Sequence, residues 1–213
     1  MAITTNALLE TAVANYLARS DLTSYIPDFI VGAETRIAYG SKEPFQSEPL
    51  RIRAMETVAT LTPSAGAVTL PSGFLALKSI YETGSVKRQL EQTSLEDFYR
   101  KWSGSTQGNA SFYAIEGESI RLAPQGTSDI RIVYYKKFDP IATASPVTWL
   151  LTNAPHVYVY GALLEAAPFI RNDARLQVWH GMFRSVVNAL NSSDKRDRWG
   201  GSVAAVKNDV ANP

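Results

Sequence analysis

The sequence predicts an α+β fold: a helical bundle formed by N- and C-terminal helices, an inserted small antiparallel β sandwich or barrel, and an extended C-terminal tail. Three observations predict it. Apolar residues recur at helical spacing, three and four apart, near both ends of the chain. Between them, short runs with a period near two are separated by turn-forming Gly, Pro, Asn and Ser clusters. The closing stretch SSDKRDRWGGSVAAVKNDVANP has two glycines, mixed charge and little periodicity, which suits a segment either disordered or ordered only by a partner. The divisions that follow are 1–50 for the N-terminal helices, 51–140 for the β module with one short helix, 141–193 for the C-terminal helices and 194–213 for the tail.

In chain order, Thr4 or Thr5 caps a first helix whose stripe is Leu8, Leu9, Ala12, Val13, Tyr16 and Leu17. Ser24 is the expected cap of a second, with Pro27 in its opening turn, Asp28 near the positive end of the dipole and Gly40 as its stop. Ile26, Phe29, Ile30, Ala33 and Ile37 form its apolar side. The run RIRAMETVATLT then sets Met55, Thr57, Ala59 and Leu61 against Glu56, Val58 and Thr60, the period of a strand. Further strands are expected at 67–70, 74–82, 86–90, 111–116, 119–122 and 129–137, with turns at PSG, ETGS, EGES and APQGTSD. Ser94-Leu95-Glu96-Asp97 resembles a capping box, opening a short helix that carries Leu95, Phe98 and Trp102 on one face. WSGSTQGNAS reads as a mobile loop.

The last third returns to helix. In NAPHVYVYGALLEAAPFIR, Asn153 is the expected cap and Pro155 occupies an early position, while apolar residues on most faces mark a central, buried helix ended by Pro168. A final helix carries Leu176, Trp179, Phe183, Val186 and Leu190 toward the core, with Arg175, His180, Arg184, Asn188 and Asn191 on a solvent-like side.

Composition narrows the chemistry. With 21 Lys+Arg against 20 Asp+Glu the net charge is +1, too balanced to displace the counterions of a polyanion tightly. Absence of cysteine removes disulfides, thiolate nucleophiles and Cys-based metal sites, and two histidines leave little for a His-rich one. The N-terminus lacks the basic region of a signal peptide and no run approaches the ~20 apolar residues of a membrane span, so the expectation is a soluble product of a cytoplasm. No phosphate-binding loop or nucleophile elbow occurs.

The remaining candidates for chemistry weigh toward packing. His156 and Glu165 are nine apart on one helix, on opposite faces, so they share no metal; Glu165 reads as a paired or rim carboxylate. Glu116 and Glu118 flank Gly117 in a hairpin turn, where neither is desolvated as acid–base work requires. Basic clusters at Arg51/Arg53, Lys87/Arg88, Lys136/Lys137 and Lys195/Arg196/Arg198 read mainly as solvated surface. Trp199, between Arg198 and Gly-Gly in a polar stretch, reads as an interface anchor. No catalytic residue, cofactor or metal is expected.

The blocks SDLTSYIPDFIVGAETRI, RIRAMETVATLT, LPSGFLALKSIY, IRLAP and NAPHVYVYGALLEAAPFIRNDARLQVW, in this order, resemble the head-to-tail adaptor (connector) proteins of short-tailed bacteriophages. The resemblance implies a structural virion protein at the head–tail junction. It implies a ring of twelve copies beneath the portal protein, one that extends the DNA channel and offers a platform to tail nozzle and tail fibre proteins. By the same resemblance the C-terminal tail reaches the portal, with Lys195, Arg196, Arg198 and Trp199 as portal-binding residues, and genomic DNA passes without specific binding. Two other classes remain: a peripheral tail component binding a receptor or carbohydrate, suggested by Trp102, Phe112 and Tyr113, and a tail hydrolase using Glu116 and Glu118.

Overall fold

Thr5 opens the first helix, α1 (Asn6–Leu17), its hydroxyl accepting from the Leu8 N–H at 3.3 Å and relieving one of the orphan donors of the first turn. The computed structural model describes residues 3–84, 87–102, 106–144, 147–170 and 173–199. Leu9, Val13 and Leu17 are the buried members of the expected stripe. A 3-10 turn at Ser20–Tyr25 leads into α2 (Ile26–Tyr39), so Ser24 is not its cap: Tyr25 holds that position with no side-chain bond. Pro27 is its second residue, where the missing N–H costs nothing in the first turn. Its buried side is the expected one, and Gly40 closes it at φ 74°, where a Cβ would lie 2.6 Å from the Ser47 carbonyl.

The chain divides into two units, Met1–Arg53 with Trp149–Pro213, and Ala54–Thr148. The second holds β1 (Glu56–Leu61), β2 (Ala67–Thr69), β3 (Phe74–Glu82), β4 (Arg88–Gln89) and β5 (Glu91–Gln92). Helix α3 (Leu95–Lys101) follows, then β6 (Phe112–Glu116), β7 (Ser119–Ala123) and β8 (Ile130–Lys136). Two four-stranded sheets form, ordered β1-β8-β3-β4 and β2-β7-β6-β5. Residues from both, among them Val68, Ile80, Tyr113, Ile120, Leu122, Ile132 and Tyr134, share one buried cluster. The pairing is antiparallel except that β5 runs parallel to β6. That exception follows from α3, which carries the chain across between them as a parallel pair requires. Ser94 caps α3 through the Asp97 N–H, and Phe98 and Trp102 pack at 5.6 Å. Of the expected loop after Trp102, 103–105 lie outside the described residues.

The chain then returns to the helical unit through α4 (Trp149–Asn153), α5 (Pro155–Glu165), a 3-10 turn at Ala167–Phe169 and α6 (Arg175–Trp199). Asn153 does not cap α5; its amide donates to the Trp149 carbonyl at 2.8 Å and closes α4 instead. Helix α5 packs against α1, α2 and α6, which explains its apolar residues on every face: Val157, Tyr158, Val159, Ala162, Leu163 and Leu164 are all buried. Gly161 permits the approach, since a Cβ there would lie 2.9 Å from the Ala33 Cβ and 3.3 Å from the Phe183 ring. Glu165 is paired, as expected, with Arg36 at 2.7 Å. The deepest residues of α6 are Trp179, Phe183 and Val187.

Two expectations about α6 are corrected. Asn191 lies at 9% exposure instead of on a solvated side. The helix also runs through Trp199, so 194–199 are helical where an extended tail was expected. Both corrections have one cause, described next.

Candidate functional site: the end of α6

Leu50 and Ile52 are buried, and Arg51 and Arg53 alternate with them, Arg53 opening a 3-10 turn at Arg53–Met55. The backbone N–H groups of Arg51 and Arg53 need partners. Helix α6 supplies them: Asn191 Oδ1 accepts from Arg51 N–H at 2.8 Å and Asp194 Oδ1 from Arg53 N–H at 2.8 Å. Asn191 also donates to the Pro49 carbonyl at 3.1 Å, so its amide is used at both ends. Asn191 and Asp194, three apart, continue the face of Phe183 and Val187, with backbone hydrogen bonds replacing apolar contact.

The charges fit around this seam. Asp194 Oδ2 takes Arg198 Nε at 2.7 Å, an i,i+4 pair along the helix, while Arg53 Nε lies 3.3 Å from Oδ1 and Arg53 Nη2 lies 3.8 Å from Asp197. Burial pushes the Asp194 carboxyl up, but the Arg53 N–H and the Arg198 guanidinium outweigh it and hold the group below its ordinary value. Arg51 is not a solvated cation either, since its guanidinium donates to the carbonyls of Ala38 at 2.9 Å and Leu50 at 2.6 Å.

Of the residues singled out in the sequence, Lys195 and Arg196 are exposed on the last turns of α6 and Arg198 is engaged by Asp194. Trp199 ends the helix, its side chain and the rest of the expected tail lying outside the described residues. Sequence reasoning missed Asn191 and Asp194. Their one signal was the three-residue spacing in register with Phe183 and Val187, which a hydrophobicity pattern discards because both are polar.

The other candidates resolve into structure. Glu116 binds Arg121 at 2.5 Å and accepts from the Tyr99 hydroxyl at 2.9 Å; Arg121, then Tyr99, hold its carboxyl below the usual range, opposite to a general acid. His156 stacks against Tyr160 at 6.0 Å. Trp102 packs on Phe112 at 4.8 Å, both half-buried, and Tyr113 is buried in the core shared by the two sheets. A shallow pocket of about 500 Å³ is lined by Leu70, Pro71, Ser72, Gly73, Phe74, Gly117 and Glu118, and Glu118 is its one ionisable group. Among the described residues no group of three or more His, Cys, Asp or Glu could hold a metal, and no helix is long and apolar enough to cross a membrane.

Comparison with protein families decides the identity of this assembly of parts. The model of the SU10 adaptor protein family matches residues 4–206, through both units and beyond the end of α6. The chain belongs to the SU10 adaptor protein family. This is a family of structural bacteriophage proteins, not of enzymes, which agrees with the head-to-tail adaptor resemblance of the sequence. The adaptor is thus a virion component. No curated protein sequence matches it.

Proposed function

We propose that the adaptor closes into a ring of twelve copies beneath the portal protein, extends the DNA channel and gives tail nozzle and tail fibre proteins their docking platform. The observation that carries this reading is the end of α6: a helix held to the body at Asn191 and Asp194, with Lys195 and Arg196 exposed on its last turns. Lys195, Arg196, Arg198 and Trp199 then form the root of the portal contact, Arg198 by its hold on Asp194. Many copies docking on one ring multiply a modest single contact.

A heterologous ring needs two complementary surfaces per subunit. The helical unit forms the ring wall and the β unit is left for neighbours, nozzle or fibres. Near-zero net charge suits a conduit, because a strongly cationic lining would retain the genome it must pass. Assembly takes place in the host cytoplasm. The test is to replace Lys195 and Arg196 together by glutamate and measure association with the purified portal ring of the same virus. The reading expects binding to fall by about tenfold or more as two favourable charge contacts reverse. Unchanged binding removes these residues from the portal contact.

A further inference from the structure

Asp194 is 8% exposed, a position carboxylates take only when paired, and both of its oxygens are spent within the chain. Arg198, one of the residues assigned to the portal contact, has a side chain only 23% exposed and turned to that carboxylate. Its sequence neighbours Lys195 and Arg196 are exposed, and Asp197, the other acid of this turn, lies near Arg53. Asp194 faces inward, and of the exposed charges on this turn the cations Lys195 and Arg196 outnumber the one acid, Asp197, which lies against Arg53.

We propose that Asp194 is a positioning residue that locks the last turns of α6 to the 49–53 segment. Arg198 acts through it and not by touching a partner, and the locked turns present Lys195 and Arg196 to an acidic protein surface. The last step rests on the portal-docking reading; the lock does not. A helix end normally frays, because its final carbonyls lack partners. Here Asn191 and Asp194 anchor the end to the 49–53 segment, itself held by the buried Leu50 and Ile52, and cations at 195, 196 and 198 suit the negative pole of the helix. A docking segment ordered at its root before contact loses less freedom on binding, so the lock adds affinity without adding a contact. Complementary charge sets the partner's chemistry: carboxylate-bearing protein, with the two exposed cations meeting it at a rim.

The experiment uses the full chain and reads two things: amide hydrogen exchange in peptides covering 191–199 and 176–190, and affinity for the portal ring. In Asp194→Asn, exchange in 191–199 rises about tenfold while 176–190 stays within about twofold, because only the terminal turns lose their anchor. Portal affinity falls by about tenfold although Lys195 and Arg196 are intact. Arg198→Gln gives the same pair of changes more weakly, and the double variant is no worse than Asp194→Asn alone, as expected of residues acting as one unit. Arg198→Gln also carries the test should Asp194→Asn not fold. Unchanged exchange in both single variants overturns the lock. An Arg198→Gln variant that loses portal affinity with normal exchange makes Arg198 a contact residue and overturns its role here. If the wild-type chain does not bind portal, the docking reading fails, and the exchange data still judge the lock.

Discussion

Gly161 and Asp194 show how much single positions carry in this chain. A methyl group at 161 would meet the Ala33 Cβ at 2.9 Å, backbone-bound and unable to swing away, so α2 and α5 would have to part. Gly161→Ala is expected to destabilise the helical unit by about 1–3 kcal/mol despite the better helix propensity of alanine, measured by denaturant unfolding. Asp194 has a depressed carboxyl, so its contribution is fully present above the unfolded value of about 3.9 and is lost as pH falls through the lower folded value. The groups facing it are Arg53 and Arg198, with Asp197 beyond Arg53. Exchange protection of 191–199 should therefore be flat from pH 5 to 8 after correction for the intrinsic rate, and collapse only below about pH 4. Neither residue announces its role in the sequence. Gly161 reads as one more small residue in an apolar run, and the burial of Asp194 depends on an N–H 141 positions away.

At the scale of elements the sequence is far more legible, because turn chemistry and periodicity are local. The edges of β3 fall at 74 and 82 as expected, with Gly73 preceding it at φ 73°. The capping serine of α3 is the residue the pattern names. Errors arise where two local signals compete: Asn153 is a good cap for the helix after it, yet closes the helix before it, and Ser24 is absorbed by a 3-10 turn. The parallel β5–β6 pair is set by the path of α3, which no strand pattern records. Helix α6 is the element on which the site depends, and Phe183, wholly buried against α5, is its anchor. Phe183→Ala should cost about 3–5 kcal/mol and lower the thermal midpoint, with the loss confined to signals from the helical unit.

For the whole molecule, the packing of α1 and α2 on α5 was readable from apolar bookkeeping, since neither pair of helices has enough partners alone. The structural role was not readable from composition, which removed only the chemistry of cysteine. It came from the ordered combination of blocks, and the family match over 4–206 bears that out. Ring assembly on a portal is the central claim, and it is tested most directly by native mass spectrometry of the chain alone and after mixing with the portal ring of the same virus. The account predicts a single added mass corresponding to twelve copies on each portal ring. A portal spectrum without added chain, or one with variable small numbers of copies, would contradict it.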